Sequence, residues 1–94
     1  MADYTVLYWQ NIPSLVEAKD ATGKHKAQLS DRFQALIDAA AMRQGLAGSD
    51  AYLEAWRRSR PQAREGSAAA VAAAVQAELE AEFDTLRATV LGKA

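Results

Sequence analysis

The chain contains no cysteine and a single histidine among its 94 residues. The missing thiols exclude a disulfide scaffold, a thiolate zinc site, an iron–sulfur cluster and a cysteine nucleophile together. The one histidine, His25, stands between Lys24 and Lys26, whose ammonium groups repel a cation. It is read as solvated rather than as a metal ligand, and no spacing supplies the orienting carboxylate of a general base. Long apolar runs are scarce as well. Val6 to Trp9 is too short for a signal-peptide core or a membrane span. The basic n-region of a signal peptide is absent too, so a cytoplasmic location is expected and no membrane contact. Strong charge of either sign is lacking: the formal net charge is −1, with no bias toward nucleic acid or anionic lipid. G-x-S-x-G, P-loop and G-x-G-x-x-G strings do not occur. With no signature of a nucleophile, metal site or cofactor, the expectation is a non-enzyme with no cofactor.

Half the residues are hydrophobic and 24% are charged, the balance of one small folded domain spanning 1–94. Residues 1–29 read as β structure. Tyr4-Thr5-Val6-Leu7-Tyr8-Trp9 alternates with apolar side chains on both sides, as expected of a central strand or one covered by a partner. Proline in Asn11-Ile12-Pro13-Ser14 closes it, Leu15 to Lys19 reads as a second strand, and Asp20 to Lys24 as a turn around Gly23. His25, Ala27 and Leu29 then mark a third, half-exposed strand. Residues 30–92 read as helical. Ser30 is the expected cap of a helix carrying Phe33, Leu36, Ile37, Ala40 and Ala41 on one stripe, with Gly45 as its C′ residue. Ser49 caps a short helix bearing Tyr52, Leu53 and Trp56. Val71, Val75, Leu79, Phe83, Leu86 and Val90 predict one long C-terminal helix between Ser67 and Gly92. The expected fold is therefore α+β, a short antiparallel three-stranded meander packed against three helices, the last one longest.

Two groups of side chains stand out as contact surfaces. Arg57, Arg58, Arg60 and Arg64 follow the short helix, at the end its dipole makes favourable to cations. Their guanidinium groups are candidate anion binders, suited to a carboxylate or phosphate. Tyr8, Trp9, Tyr52 and Trp56 are core by default and candidate anchors for a protein partner otherwise. The alternating acids Glu78, Glu80, Glu82 and Asp84 spread around a helix and read as a solvated flank. They weigh against a nucleic-acid phosphate backbone. The alanine-lined stripe leaves a homodimer open.

Tyr4-Thr5-Val6-Leu7-Tyr8-Trp9 with Ile12-Pro13, Gln28-Leu29-Ser30, Arg32-Phe33-Gln34, Ile37-Asp38, Ala40-Ala41-Met42-Arg43 and Asp50 to Trp56 resembles the small bacterial "virulence factor" domain family. A related domain occurs in larger staphylococcal conserved-virulence-factor proteins. The resemblance implies a proteobacterial cytoplasmic protein encoded near genes of folate- and corrinoid-dependent methyl transfer, including methylenetetrahydrofolate reductase-like proteins. It supplies no catalytic residues. The expected function is a non-catalytic accessory subunit of such a one-carbon enzyme. The alternatives are a module for a small anionic ligand such as the glutamyl tail of a tetrahydrofolate, and a nucleic-acid-binding regulator.

Overall fold

The computed structural model describes residues 1–92. Three strands, β1 (Ala2–Trp9), β2 (Ile12–Asp20) and β3 (Gly23–Gln28), form the expected antiparallel meander. They are followed by α1 (Asp31–Arg43), α2 (Asp50–Glu54), β4 (Trp56–Arg58), β5 (Gln62–Arg64), α3 (Ala68–Ala81) and α4 (Phe83–Leu91). The class is α+β as expected, but the antiparallel sheet has five strands and the helices number four among the described residues.

β1 is the spine of the sheet. β2 lies on one side of it, and β4 and β5 share the other. The two short strands are one edge segment interrupted by a bulge. Trp9 pairs with Trp56 and Tyr4 with Gln62, so five steps along β1 face six along the edge. Proline at 61 has no ladder donor, and Ser59 bridges the interruption. Its N–H donates to the Val6 carbonyl at 2.9 Å, and its Oγ accepts from the Val6 N–H at 2.9 Å. Residues 30–92 are thus not wholly helical: the arginine-rich stretch placed after a helix is strand. An apolar-on-both-sides β1 needs two neighbours, and the far segment supplies the second.

The β1–β2 hairpin turns through Gln10 and Asn11, with Gln10 at φ 56°. Its backbone N–H donates to the Ala55 carbonyl at 3.0 Å, and its carbonyl accepts from Arg57 Nε at 3.1 Å. Tertiary bonds thus hold a conformation that a non-glycine residue adopts at a cost. A second bulge lies between Leu7 and Tyr8 on the β2 side, where Pro13 sits opposite Tyr8. The extra residue, Ser14, lies in β2, so β1 keeps the expected alternation: Tyr4, Val6 and Tyr8 join the cluster under α3, and Trp9, with Ile12 opposite, is buried in the cluster around α1.

α3 crosses one face of the sheet. Ala68, Val71, Ala72 and Val75 pack on Ala2, Val6, Val16, Ala18 and Ala27, and the alanines allow a close approach. A second cluster gathers Trp9, Ile12, Leu29, Phe33, Leu36, Ile37, Ala40, Ala41 and Phe83. Leu79 packs against both clusters. The expected long helix is broken at Glu82, at φ −97° and ψ 5°, with its N–H on the Leu79 carbonyl. No glycine or proline causes the break. The apolar stripe must serve the sheet before it and α1 after it, and Phe83 meets Phe33 edge-on at 5.0 Å.

Helix ends follow their local chemistry. Gly45, at φ 71°, closes α1: its N–H donates to Met42 and the Leu46 N–H to Ala41, the paired bonds of a Schellman ending. Ser49 and Ser67 accept from the Tyr52 and Ala70 N–H groups. Ser30 precedes α1 as expected but makes no cap bond of its own. It donates its N–H and hydroxyl to Glu80 instead, at 2.7 and 2.9 Å.

Candidate functional site

At the hairpin end the face opposite α3 carries Trp9 and Ile12, which pack against α1. Beyond that end lies the open part of this face, whose side chains belong to neither hydrophobic cluster among the described residues. Strand register sorts its side chains into rows. Asp3, Lys19 and Lys24 form one row; Thr5, Glu17 and Lys26 the next; Arg58, Leu7, Leu15 and Gln28 the third. Glu17 is the hub. Arg58 Nη1 donates to its Oε1 at 2.8 Å and to Thr5 Oγ1 at 3.2 Å, and Lys26 Nζ lies 3.9 Å from its Oε2. Leu7 and Leu15 face each other across the two central strands, half-buried and outside both hydrophobic clusters. Beside them lies a hollow of about 250 Å³, lined by Asp3, Thr5, Glu17, Lys19, Lys24, Arg58 and Pro61.

The four arginines do not converge. Arg58 lines the hollow on the open face. Arg57 lies over the Tyr8 ring, 5.0 Å from its centroid, while its Nε holds the Gln10 carbonyl. Arg64 turns to α3 and grips Glu78 with both terminal nitrogens, Nη1 at 3.1 Å. That fork holds the Glu78 carboxyl below its usual range and raises the Arg64 guanidinium. Arg60 is exposed and in none of the ion pairs among the described residues. A clamp of four converging guanidinium groups is therefore not assembled. The cations gathered around the hollow are Arg58, Lys19 and Lys24. The lysines belong to separate strands, and only cross-strand register brings them together.

The aromatic group also divides. Trp9 is completely buried, its indole N–H donating to the Tyr52 carbonyl at 2.8 Å. It is a core residue and presents nothing to a partner. Tyr52 packs tilted against it at 5.5 Å, and Trp56 edge-on against Tyr52 at 6.3 Å. The three rings fasten α2 and β4 to the hairpin end of the sheet, with Tyr52 and Trp56 half-buried. Tyr8 lies apart from them. It lines a smaller cleft of about 160 Å³ with Asn11, Pro13, Leu79, Glu82 and Leu86, where the chain passes from α3 to α4.

The acids on the last two helices are not simply a solvated flank. Besides Glu78 and its arginine, Glu80 accepts from Ser30 and from Arg32 Nη2, the latter at 2.9 Å. Partial burial pushes the Glu80 carboxyl up, and these bonds together outweigh it and hold it below the usual range. Arg32 also covers the Phe83 ring at 4.4 Å. Asp20 is the least expected of the acids. Its Oδ1 accepts from the Thr22 N–H and hydroxyl and the Gly23 N–H, and its Oδ2 from the Ala68 N–H at 2.7 Å. The Ala68 bond, then those from Thr22, hold its pKa near 2. Among the described residues no three His, Asp or Glu side chains converge as a metal site would require. No described helix is long and apolar enough to cross a membrane.

A family model described as "Virulence factor" matches residues 7–91. The chain belongs to the virulence factor family. No curated protein and no solved structure matches it. In this virulence factor domain the match begins within β1 and runs through α4, so it takes in Leu7, Leu15, Glu17, Lys19, Lys24 and Arg58 of the open face. Asp3 and Thr5 precede it.

Proposed function

We propose that this domain is a non-catalytic accessory module that docks on a larger protein through the open face of its sheet. The observation that carries the reading is the Leu7–Leu15 pair. Two leucines face each other there, half-buried and outside both hydrophobic clusters, and Arg58 and Lys26 meet Glu17 in the adjoining row. An apolar centre with a charged rim is how protein interfaces are built, and arginine is favoured in them. An antiparallel sheet tolerates one wet face, so the leucines, not the openness, are the informative feature. The family resemblance directs attention to folate- and corrinoid-dependent methyl-transfer enzymes as the larger protein.

The test uses affinity capture from the native host, with the Leu7→Asp and Leu15→Asp variants beside the unaltered domain. Loss of a captured methyl-transfer enzyme in both variants, with circular dichroism unchanged, is the expected result. A partner retained by both variants defeats the reading. As a control, Met42→Glu alters an apolar side chain 72% exposed on α1, away from the sheet face, and leaves capture intact.

A second reading has its own support in the hollow beside Arg58, Lys19 and Lys24, which suits a carboxylate of a small ligand. Calorimetry of the isolated domain with tetrahydrofolate polyglutamate tests it. Heat that disappears in Lys24→Ala favours it, and no heat rejects it.

A further inference from the structure

β3 is a free edge of the sheet, and its sequence is basic. The Leu29 N–H donates to the Ser14 carbonyl at 3.1 Å, which fixes the hydrogen-bond alternation of the β2–β3 ladder. By that alternation Ala27, His25 and Gly23 turn their backbone groups to β2. Lys24, Lys26 and Gln28 turn theirs outward. The Gln28 carbonyl is taken by Gln76 Nε2 at 2.8 Å. The outward N–H and C=O of Lys24 and Lys26 have no protein partner among the hydrogen bonds of the described residues.

The side chains beside this edge carry an imbalance. Lys19 and Lys24 sit directly opposite each other on the open face, and neither forms an ion pair among the described residues. Like charges opposed across two strands are unfavourable unless something neutralises them. Asp3, across from Lys19, does not come within ion-pair distance, and Glu17 is engaged by Arg58 and Lys26. His25 stands on the other side of β3, exposed.

We infer that the β3 edge receives an acidic extended segment of a partner protein, which adds a strand to the sheet at Lys24 and Lys26. The inference deepens the docking reading and rests on it. Backbone bonds to the outward groups of Lys24 and Lys26 supply attachment, and acidic side chains at alternate positions supply selection. Those carboxylates lie over the open face, against Lys24 and Lys26, with the Lys19–Lys24 hollow at one end. The same lysines deter a second copy of this chain, because β3 against β3 sets lysines against lysines. An acidic strand is the occupant this edge accepts and its own twin is the one it refuses.

The test is fluorescence anisotropy of the full chain with a labelled peptide in which Glu alternates with Val, and with its Lys/Val counterpart. Two N-methylated forms of the acidic peptide are included. One is methylated on the amides that face β3, the other on the amides that face away. The inference expects the acidic peptide to bind and the basic one not to. Methylation on the facing amides, or Lys24→Glu with Lys26→Glu, weakens binding by about tenfold or more. The largest amide chemical-shift changes then fall within residues 23–28. It is overturned if the acidic peptide does not bind, if both methylated peptides bind alike, or if the shifts lie elsewhere. Leu7→Asp separates this inference from the reading beneath it. Partner capture that Leu7→Asp abolishes, together with an inert acidic peptide, sinks the edge and leaves the docking face standing. Capture untouched by both Leu7→Asp and Leu15→Asp, together with a bound peptide, sinks the face instead.

Discussion

The Asp20 carboxylate ties the β2–β3 turn to the first N–H of α3, 48 residues further on. At the residue scale this is an acid-sensitive bond set. Its folded pKa is near 2 against an ordinary 3.8, so the carboxylate stabilises the fold fully above the higher value. That contribution is lost as pH falls through the lower one. Asp20→Asn is therefore expected to melt a few degrees lower than the unaltered domain at pH 7, with the difference shrinking as pH approaches 2. Thermal melts across that range check it. Glu78 and Glu80, whose carboxyls are also held low, add to the loss of stability in acid. None of these roles is legible in the sequence. Asp20 reads as a turn residue and is one, but its second oxygen serves a helix that only the folded chain brings near. Trp9 shows the opposite limit. Its strand and its side are plain from alternation, yet its burial comes from α1 and Tyr52 packing over the hairpin end, which no local pattern announces.

At the scale of elements, the break between α3 and α4 separates local preference from tertiary demand. Val71 to Val90 carries an unbroken helical stripe, and sequence periodicity alone predicts one rod. The stripe has two tasks, Val71 and Val75 on the sheet and Phe83 and Leu86 on α1, and one straight helix does not satisfy both. Glu82 is where the demand falls rather than its cause. Glu82→Ala is thus expected to change stability by less than about 0.5 kcal/mol. Glu80→Ala, two residues earlier, removes the acceptor that serves Ser30 at the start of α1 and costs about 1 kcal/mol. Urea denaturation of the pair decides it, and equal losses would place the cause in Glu82 itself. The meander and α1 were readable because hairpin turns, caps and periodicity are local. β4 and β5 were not, because three-residue strands of arginine and glutamine carry no pattern. Their trace in the sequence is indirect: β1 is apolar on both sides and so requires a neighbour that the meander cannot provide.

At the scale of the whole molecule, the interior is two clusters rather than one, the sheet with α3 and the hairpin end with α1 and α4. Leu79 packs against both and is the side chain through which they support each other. Leu79→Ala is expected to cost about 2 kcal/mol or more and to lower the urea m-value as the halves cease to unfold together. Unfolding followed by near-ultraviolet and far-ultraviolet dichroism should then no longer coincide. Coincident curves with an unchanged m-value would show one cooperative unit. The open face belongs to this scale too. Its residues come from β1, β2, β3 and the edge segment, so the sequence shows the cations and the leucines but not that they share a surface.

The spine strand borrows its second neighbour from the far half of the chain. During synthesis β1, β2 and β3 leave the ribosome as a complete hairpin pair, with one flank of β1 raw. That flank stays raw until Trp56 to Arg64 emerges and pairs with it. Through that interval the nascent chain displays an apolar sheet margin to its neighbours, a template for misassociation between chains. A message truncated anywhere between α1 and Arg64 therefore yields a product prone to aggregate, while one that continues past the edge segment seals its own seam.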